Sequence, residues 1–116
     1  ETDTVREYLI FWKNIYNYED NFNYIIDYFN FKRYLDSPIR LLSFGQKKKL
    51  SFSRLQMIKS KIWFLDEPIS GLDHKTKLLI LNLMAQHIDC GGGIVATSHE
   101  TLRFKKLKNI MSVKID

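Results

Sequence analysis

Two adjacent carboxylates, Asp66 and Glu67, follow the apolar run IWFL at residues 62–65. Such a run predicts a short strand at 62–66 that is buried on both faces, with the carboxylates at its carboxyl end, where open α/β sheets bind ligands. Buried carboxylates are unfavourable unless a cation or a reaction uses them. Because successive strand residues point to opposite faces, Asp66 can hold Mg²⁺ through water while Glu67 orients a water molecule. For this pair alone, an acidic strand end that merely caps the next turn is the structural alternative.

Two neighbouring segments strengthen the chemical interpretation. Residues 70–73, Ser-Gly-Leu-Asp, are turn formers, and His99 follows a second predicted strand at 94–98. The carboxyl ends of parallel strands share one sheet edge, so we expect His99 to lie beside Glu67. A metal-binding acid, a water-orienting acid and an imidazole are what phosphoryl transfer to water requires. We predict that the other histidines, His74 and His87, are surface residues.

The stretch LLSFGQKKKL at 41–50 predicts a second, separate anion site. Ser43 and Gly45 would stand at the N-terminus of a helix expected over 47–61, where free N–H groups and the helix dipole favour an anion. The Ser43 hydroxyl adds a donor, and Gly45 allows close approach of the backbone. The sequence contains no G-x-x-x-x-G-K-[ST] loop that would hold a nucleotide of its own.

The pattern of apolar residues predicts an α/β fold, with a helical subdomain at 1–61 followed by half of a parallel sheet at 62–116. The first third predicts two helices, whose apolar stripes are Val5, Leu9, Trp12 and Tyr16, then Tyr24, Ile25, Tyr28 and Phe29. A helix at 76–89, ended by Cys90 and three glycines, connects the two strands and makes their pairing parallel. Residues 109–116 predict a third strand at an edge.

Composition limits the function classes. The 116 residues are 45% hydrophobic and 27% charged, as in a globular domain, and no apolar run approaches the ~18 residues of a membrane helix. A single cysteine, Cys90, excludes an internal disulfide and suits a reducing compartment. The net charge of +5 permits a nucleic-acid or anionic-membrane partner, although a solvated helix start at 47–49 explains it more simply. The many aromatic residues of the first third fit core packing better than stacking on bases.

Taken in order, these motifs closely resemble an ATP-binding-cassette nucleotide-binding domain over about residues 1–104. The resemblance implies that residues 42–46 are the signature motif, with Ser43, Phe44, Gly45 and Gln46. It implies that residues 62–66 are the Walker B strand, in which Asp66 binds the metal, and that Glu67 and the switch residue His99 are catalytic. The D-loop would consist of Ser70, Gly71, Leu72 and Asp73. Phe44 departs from the family, which usually has a second glycine there. The family's phosphate-binding loop, adenine-stacking aromatic and Q-loop would lie upstream of Glu1. We therefore expect a C-terminal portion of a RecA-like P-loop NTPase core.

The family's cofactors are ATP and Mg²⁺, and its signature motif closes over ATP held by the P-loop of a partner. The resemblance thus implies a second nucleotide-binding subunit, transmembrane permease subunits, and an upstream P-loop half supplied in cis or in trans. No nucleic acid is expected as a partner. Hydrolysis is expected of the complete assembly, whereas the isolated chain, which lacks a Walker A motif, should be inactive.

Residues 78–100 further resemble the haem-exporter ATP-binding subunits of bacterial-type cytochrome c maturation. That resemblance implies haem export and a peripheral position on an inner membrane, on its matrix side in a mitochondrion or its cytoplasmic side in a bacterium. The abundance of Lys, Asn, Ile, Tyr and Phe, which have AT-rich codons, agrees with an organellar or reduced genome. Two alternatives are a degenerate cassette half that serves as a non-catalytic structural module, and a soluble cassette protein that acts on nucleic acid or ribosomes. Proteins of the latter kind usually carry two cassettes and long linkers, which this sequence lacks.

Overall fold

The computed structural model describes residues 3–19 and 22–98. Its elements are helix α1 (Val5–Ile15), helix α2 (Phe22–Tyr28), two short 3₁₀ turns (Phe31–Tyr34 and Ile39–Leu41), helix α3 (Phe44–Ile58), strand β1 (Ile62–Asp66), helix α4 (His74–Asp89) and strand β2 (Gly93–Thr97). Helices followed by a β-α-β unit confirm the predicted α/β class. The third strand predicted at 109–116 lies outside the described residues. Within those residues, the structure has no helix that is both long and apolar enough to cross a membrane.

Helix α1 begins with a capping box, in which Thr4 accepts from the Glu7 N–H and Glu7 accepts from the Thr4 N–H. Its predicted apolar stripe is confirmed, because Val5 and Leu9 are fully buried. Trp12, one turn further along the helix, packs against the same core from a half-buried position. The predicted burial of aromatic side chains is confirmed at Phe29 and Phe31, whose rings stack in the core, whereas Phe11 and Tyr24 are more than half exposed.

Helix α3 begins three residues earlier than predicted, at Phe44 rather than at residue 47. The reason is a second capping box, in which Ser43 is the N-cap and Gln46 its reciprocal partner. The helix also ends earlier than predicted, because Lys59 adopts a left-handed conformation with φ 57°. The helix is fixed to α1 by Arg54, whose guanidinium carbon lies 3.8 Å from the centroid of the Trp12 ring.

Strands β1 and β2 pair in parallel, with Ile62 opposite Gly93 and Asp66 opposite Thr97. This pairing confirms the prediction, although β2 begins one residue earlier than expected. On the covered face, Trp63 meets Phe52 of α3 edge to face and stacks on His87 of α4 at 3.9 Å between ring centroids. His87 is therefore a partly buried packing residue, in contrast to the surface position that we predicted.

The loop between α4 and β2 passes close over the His87 ring. A Cβ on Gly92 would lie 2.3 Å from His87 Nε2, a contact that no larger residue could make without displacing the ring. The same nitrogen lies 2.9 Å from the Lys61 carbonyl oxygen and donates a hydrogen bond to it. Position 92 therefore requires glycine, because the loop backbone approaches the His87 ring so closely. This glycine belongs to the run at which the sequence predicts the end of helix α4.

The prediction that β1 is buried on both faces is wrong for the described residues. On the second face of the sheet, the exposed fractions are 53% for Ile62, 77% for Phe64 and 57% for Val95. Helices α3 and α4 pack on the first face through Phe52 and His87, whereas the second face is left largely exposed by the described residues. We call Ile62, Phe64 and Val95 the open sheet face.

Candidate nucleotide hydrolysis site

Asp66 ends β1 directly opposite Thr97 of β2, and the two side chains form a hydrogen bond. Thr97 Oγ1 donates to Asp66 Oδ1 at 2.5 Å. The hydroxyl thereby fixes the orientation of an exposed carboxylate at the sheet edge. Sequence reasoning did not assign a role to Thr97. The sequence shows that Thr97 is the first polar residue after the apolar part of β2, but the strand register that sets it opposite Asp66 comes from the structure.

Glu67 is held by its backbone in an unusual conformation, with φ 47°. A positive φ in a residue other than glycine costs on the order of 1–3 kcal/mol and concentrates at functional sites. The Glu67 N–H offsets part of this cost, since it donates to both the carbonyl oxygen and the hydroxyl oxygen of Thr97, each at 3.1 Å. Thr97 therefore contacts both the predicted metal-binding Asp66, at its carboxylate, and the predicted catalytic Glu67, at its backbone N–H.

The expected neighbour of Glu67, His99, lies outside the described residues, so its place beside Glu67 stays a prediction. The other two histidines do not substitute for it. His74 is exposed at the start of α4, and His87 packs on Trp63.

Residues 70–73, the predicted D-loop, connect this edge to α4. The Ser70 N–H donates to the Glu67 carbonyl at 3.3 Å, and Gly71 has φ 74°, a conformation that favours glycine. Asp73 is the N-cap of α4 and accepts a hydrogen bond from the Thr76 N–H at 2.9 Å. Hydrogen bonding from Thr76, supported by the charge of Lys49, holds the pKa of the Asp73 carboxyl below its ordinary value.

The predicted signature residues form the first turn of α3. Ser43 Oγ accepts from the Gln46 N–H at 3.1 Å, and Gln46 Oε1 accepts from the Ser43 N–H at 2.8 Å. The Ser43 hydroxyl proton is not used in this box and remains able to donate to an anion. The N–H groups of Phe44 and Gly45 belong to the first turn and have no acceptor within the helix. The site predicted from Ser43 and Gly45 thus has its donors at a helix N-terminus, while the Gln46 side chain serves as a cap.

Asp66 also lines a cleft of about 260 Å³ between α1, α3 and β1. Lys48 and Arg54 line the same cleft. The volume is below the ~300–1,000 Å³ of typical small-molecule pockets. The cleft beside Asp66 is therefore too small to enclose a nucleotide by itself.

The residues at the carboxyl end of β1 suit Mg²⁺ better than a metal ion that only protein side chains coordinate. The described part of the chain has no group of three or more His, Cys, Asp or Glu side chains that could hold an ion. Mg²⁺ usually keeps several waters and binds through one or two carboxylates plus substrate phosphates. Asp66, oriented by Thr97, fits that requirement with its second oxygen.

Comparison with known proteins gives consistent results. The ABC transporter family profile matches residues 1–70. The chain is 40% identical over 78 residues to the cytochrome c biogenesis ATP-binding export protein CcmA of Legionella pneumophila, covering 67% of this chain and 39% of that protein. It is 32% identical over 111 residues to CcmA of Reclinomonas americana, covering 91% of this chain and 50% of that protein.

A solved ATP-binding subunit of an ABC transporter has a similar fold, with a TM-score of 0.72 and 24% identity over 85% of this chain and 44% of that one. Our chain spans 39% and 50% of the lengths of the two CcmA relatives. The chain belongs to the ABC transporter family.

Proposed function

We propose that this chain is the C-terminal portion of an ABC transporter ATP-binding subunit that hydrolyses ATP in its complete assembly. The observation that carries the proposal is the arrangement at the sheet edge, where Thr97 holds both Asp66 and Glu67. A purely structural module would not need an exposed carboxylate fixed by a hydroxyl beside a strained glutamate. Both features suit a site that orients a metal ion and a water molecule.

Each group has a distinct part in the proposed reaction. Asp66 would hold Mg²⁺ through its water shell, and Glu67 would orient the attacking water and accept its proton. His99 contacts the γ-phosphate as the switch residue. ATP would supply the reacting phosphate, and the bound Mg²⁺ would neutralise negative charge on it.

The signature residues act on a nucleotide that a second subunit holds. The Ser43 hydroxyl and the first-turn N–H groups of Phe44 and Gly45 would donate to the γ-phosphate when the two subunits close. The Gln46 side chain supports this interaction, because it accepts a hydrogen bond from the Ser43 N–H and so holds Ser43 in place. Residues 70–73 lie between the two sets of groups and would meet the partner at the same interface.

The chain needs a complementary half that carries the phosphate-binding loop. The sequence has no Walker A motif, and the CcmA relatives are about twice as long. The open sheet face is apolar and is the kind of surface that a second layer of an α/β sheet covers. We therefore propose that a P-loop half, in cis or in trans, covers this face. The division into a helical subdomain at 1–61 and a catalytic portion at 62–116 belongs to the same proposal.

The proposed cargo is haem, exported for cytochrome c maturation. Support comes from the relatives, which are named as cytochrome c biogenesis export proteins, and from the likeness of residues 78–100 to that subfamily. The assembly would include a second nucleotide-binding subunit and transmembrane permease subunits. It would lie on an inner membrane, and the Reclinomonas relative favours the matrix side of a mitochondrion.

Glu67→Gln in the complete assembly tests the proposal. The amide keeps the size of the side chain but cannot accept a proton, so turnover should fall ~10²-fold or more while Mg-ATP still binds. Glu19→Gln, at an exposed position before α2, is the matched control and should leave turnover unchanged. Steady-state phosphate release and calorimetric titration measure the two quantities. A wild-type assembly that binds Mg-ATP without hydrolysing it would identify the chain as a non-catalytic module.

A further inference from the structure

The departure from the family's glycine at position 44 has a structural consequence within the same chain. Phe44 is 59% exposed, yet one edge of its ring faces the backbone of Gly71 in the loop before α4. A Cβ on Gly71 would lie 3.3 Å from Phe44 Cε2 and 3.8 Å from Cδ2, so the ring occupies the space beside this glycine. Lys48 lies over the same ring, with its ammonium 5.6 Å from the centroid.

Two further contacts join α3 to the start of α4. A Cβ on Gly45 would lie 3.6 Å from Thr76 Oγ1, which is ordinary van der Waals distance. Burial lowers the pKa of the Lys49 amine, and the negative charge of Asp73 partly offsets that shift. The first turns of α3 and α4 are therefore packed together, and the Phe44 ring extends this contact onto the loop at 70–73.

We propose that Phe44 is a positioning residue that fixes the loop at 70–73 against the first turn of α3. This inference rests on the proposed function, because it assigns the ring a part in closing the composite ATP site. The loop is anchored at one end by the Glu67 turn and at the other by the Asp73 cap. Between these anchors Ser70 and Gly71 are exposed to solvent. The Phe44 ring lies beside Gly71 and thereby limits the positions that these two residues can adopt. A glycine at 44 would leave that side of the loop open.

The kinetics of Phe44→Gly distinguish a positioning role from the alternative that the ring only obstructs the phosphate. If the ring were only an obstacle to phosphate approach, Phe44→Gly would lower KM for ATP and leave or raise kcat. If the ring positions the loop, the same change should lower kcat about 3- to 10-fold with KM changed less than about 2-fold, since the loss falls on the closed state. Phe44→Tyr retains the ring and should restore wild-type kcat.

The experiment uses the complete assembly with Phe44→Gly, Phe44→Tyr and the control Phe11→Ala. Phe11 is a phenylalanine of nearly equal exposure, 55%, on the outer side of α1. Steady-state ATP hydrolysis gives kcat and KM, and hydrogen exchange with mass spectrometry reports on the amides of 70–73. Exchange there should accelerate in Phe44→Gly and stay at the wild-type rate in Phe44→Tyr and Phe11→Ala.

The two readouts separate this inference from the proposed function. Equal exchange at 70–73 in Phe44→Gly and wild type, with wild-type hydrolysis intact, overturns the positioning role and leaves the proposed function standing. A lowered KM with unchanged kcat also overturns it, in favour of the obstacle. A wild-type assembly without hydrolysis refutes the proposed function and the kinetic role, whereas faster exchange in Phe44→Gly would still establish the contact.

Discussion

Thr97→Val is the substitution that most directly tests how the carboxylates are positioned. Valine has nearly the same shape and is also β-branched, so β2 should keep its conformation and pairing. The change removes the hydrogen bond to Asp66 Oδ1 and one of the two acceptors of the Glu67 N–H. The carbonyl of Thr97 remains as the other acceptor, so the Glu67 turn loses only part of its anchor.

The size of the effect follows from the two lost bonds. A hydrogen bond to a charged group contributes about 1.5–3 kcal/mol, and a neutral one about 0.5–1.5 kcal/mol. Asp66 and Thr97 are exposed, so water replaces much of the lost interaction and the lower limits apply. A loss of about 1–2 kcal/mol in the transition state corresponds to a fall in kcat of roughly 5- to 30-fold. The concentration of Mg²⁺ that gives half-maximal activity should rise, because Asp66 is no longer oriented.

Phosphate release by the complete assembly, measured over a Mg²⁺ series, gives both quantities. Thr97→Ser keeps the hydroxyl and is the control, expected to stay within about 3-fold of wild type because only a methyl group is lost. Equal kcat and equal Mg²⁺ dependence in Thr97→Val and wild type would refute the idea that this hydroxyl positions the carboxylates. An equal loss in Thr97→Ser would assign the effect to packing instead.

Three further predictions concern other parts of the chain. Ser43→Arg places a bulky cation where the partner's phosphate must approach and should abolish hydrolysis without loss of Mg-ATP binding, as measured by calorimetry; retained turnover would remove Ser43 from the interface. The pKa of Asp73 is depressed in the folded state, so its contribution to stability is complete above the ordinary value of 3.8 and is lost as pH falls through the lower folded value. The urea midpoint of unfolding should therefore drop on acidification more in wild type than in Asp73→Asn. Parallel curves of urea midpoint against pH for the two proteins would contradict this. Isolated residues 1–116 should show no saturable binding of millimolar Mg-ATP, and a one-to-one calorimetric isotherm from the folded chain would mean that the phosphate site is misplaced.

Local sequence patterns predicted the elements of this fold well where one physical signal dominated. The run IWFLD gave both ends of β1, because a short apolar run followed by Pro68 has few other solutions. The predicted start of α3 at residue 47 is wrong, because the three lysines at 47–49 lie inside the helix and do not mark its first residue. The spacing of Ser43 and Gln46, which fits a capping box, carries the correct boundary.

Burial was harder to predict than secondary structure, because it depends on what lies across the sheet. Phe64 and Trp63 are neighbours in one apolar run, yet Phe64 is 77% exposed and Trp63 only 3%. Strand geometry requires them to point to opposite faces, and nothing in the run indicates which face is covered. The role of Thr97 was missed for a related reason, since it follows from strand register, which the sequence of one strand does not contain.

The distribution of groups along the chain has a consequence for control of the proposed reaction. In the proposed reaction Asp66 and Glu67 orient a metal ion and a water, and Ser43 donates to a phosphate, but the cleft beside Asp66 is too small for the nucleotide. Affinity for ATP must then come from the P-loop half, and the γ-phosphate would meet the Ser43 site only across a dimer interface. Hydrolysis would therefore depend on two associations, one over the open sheet face and one at the signature helix. Because the contributions of such linked steps multiply, a modest weakening of either one should reduce turnover more than it reduces the stability of this chain.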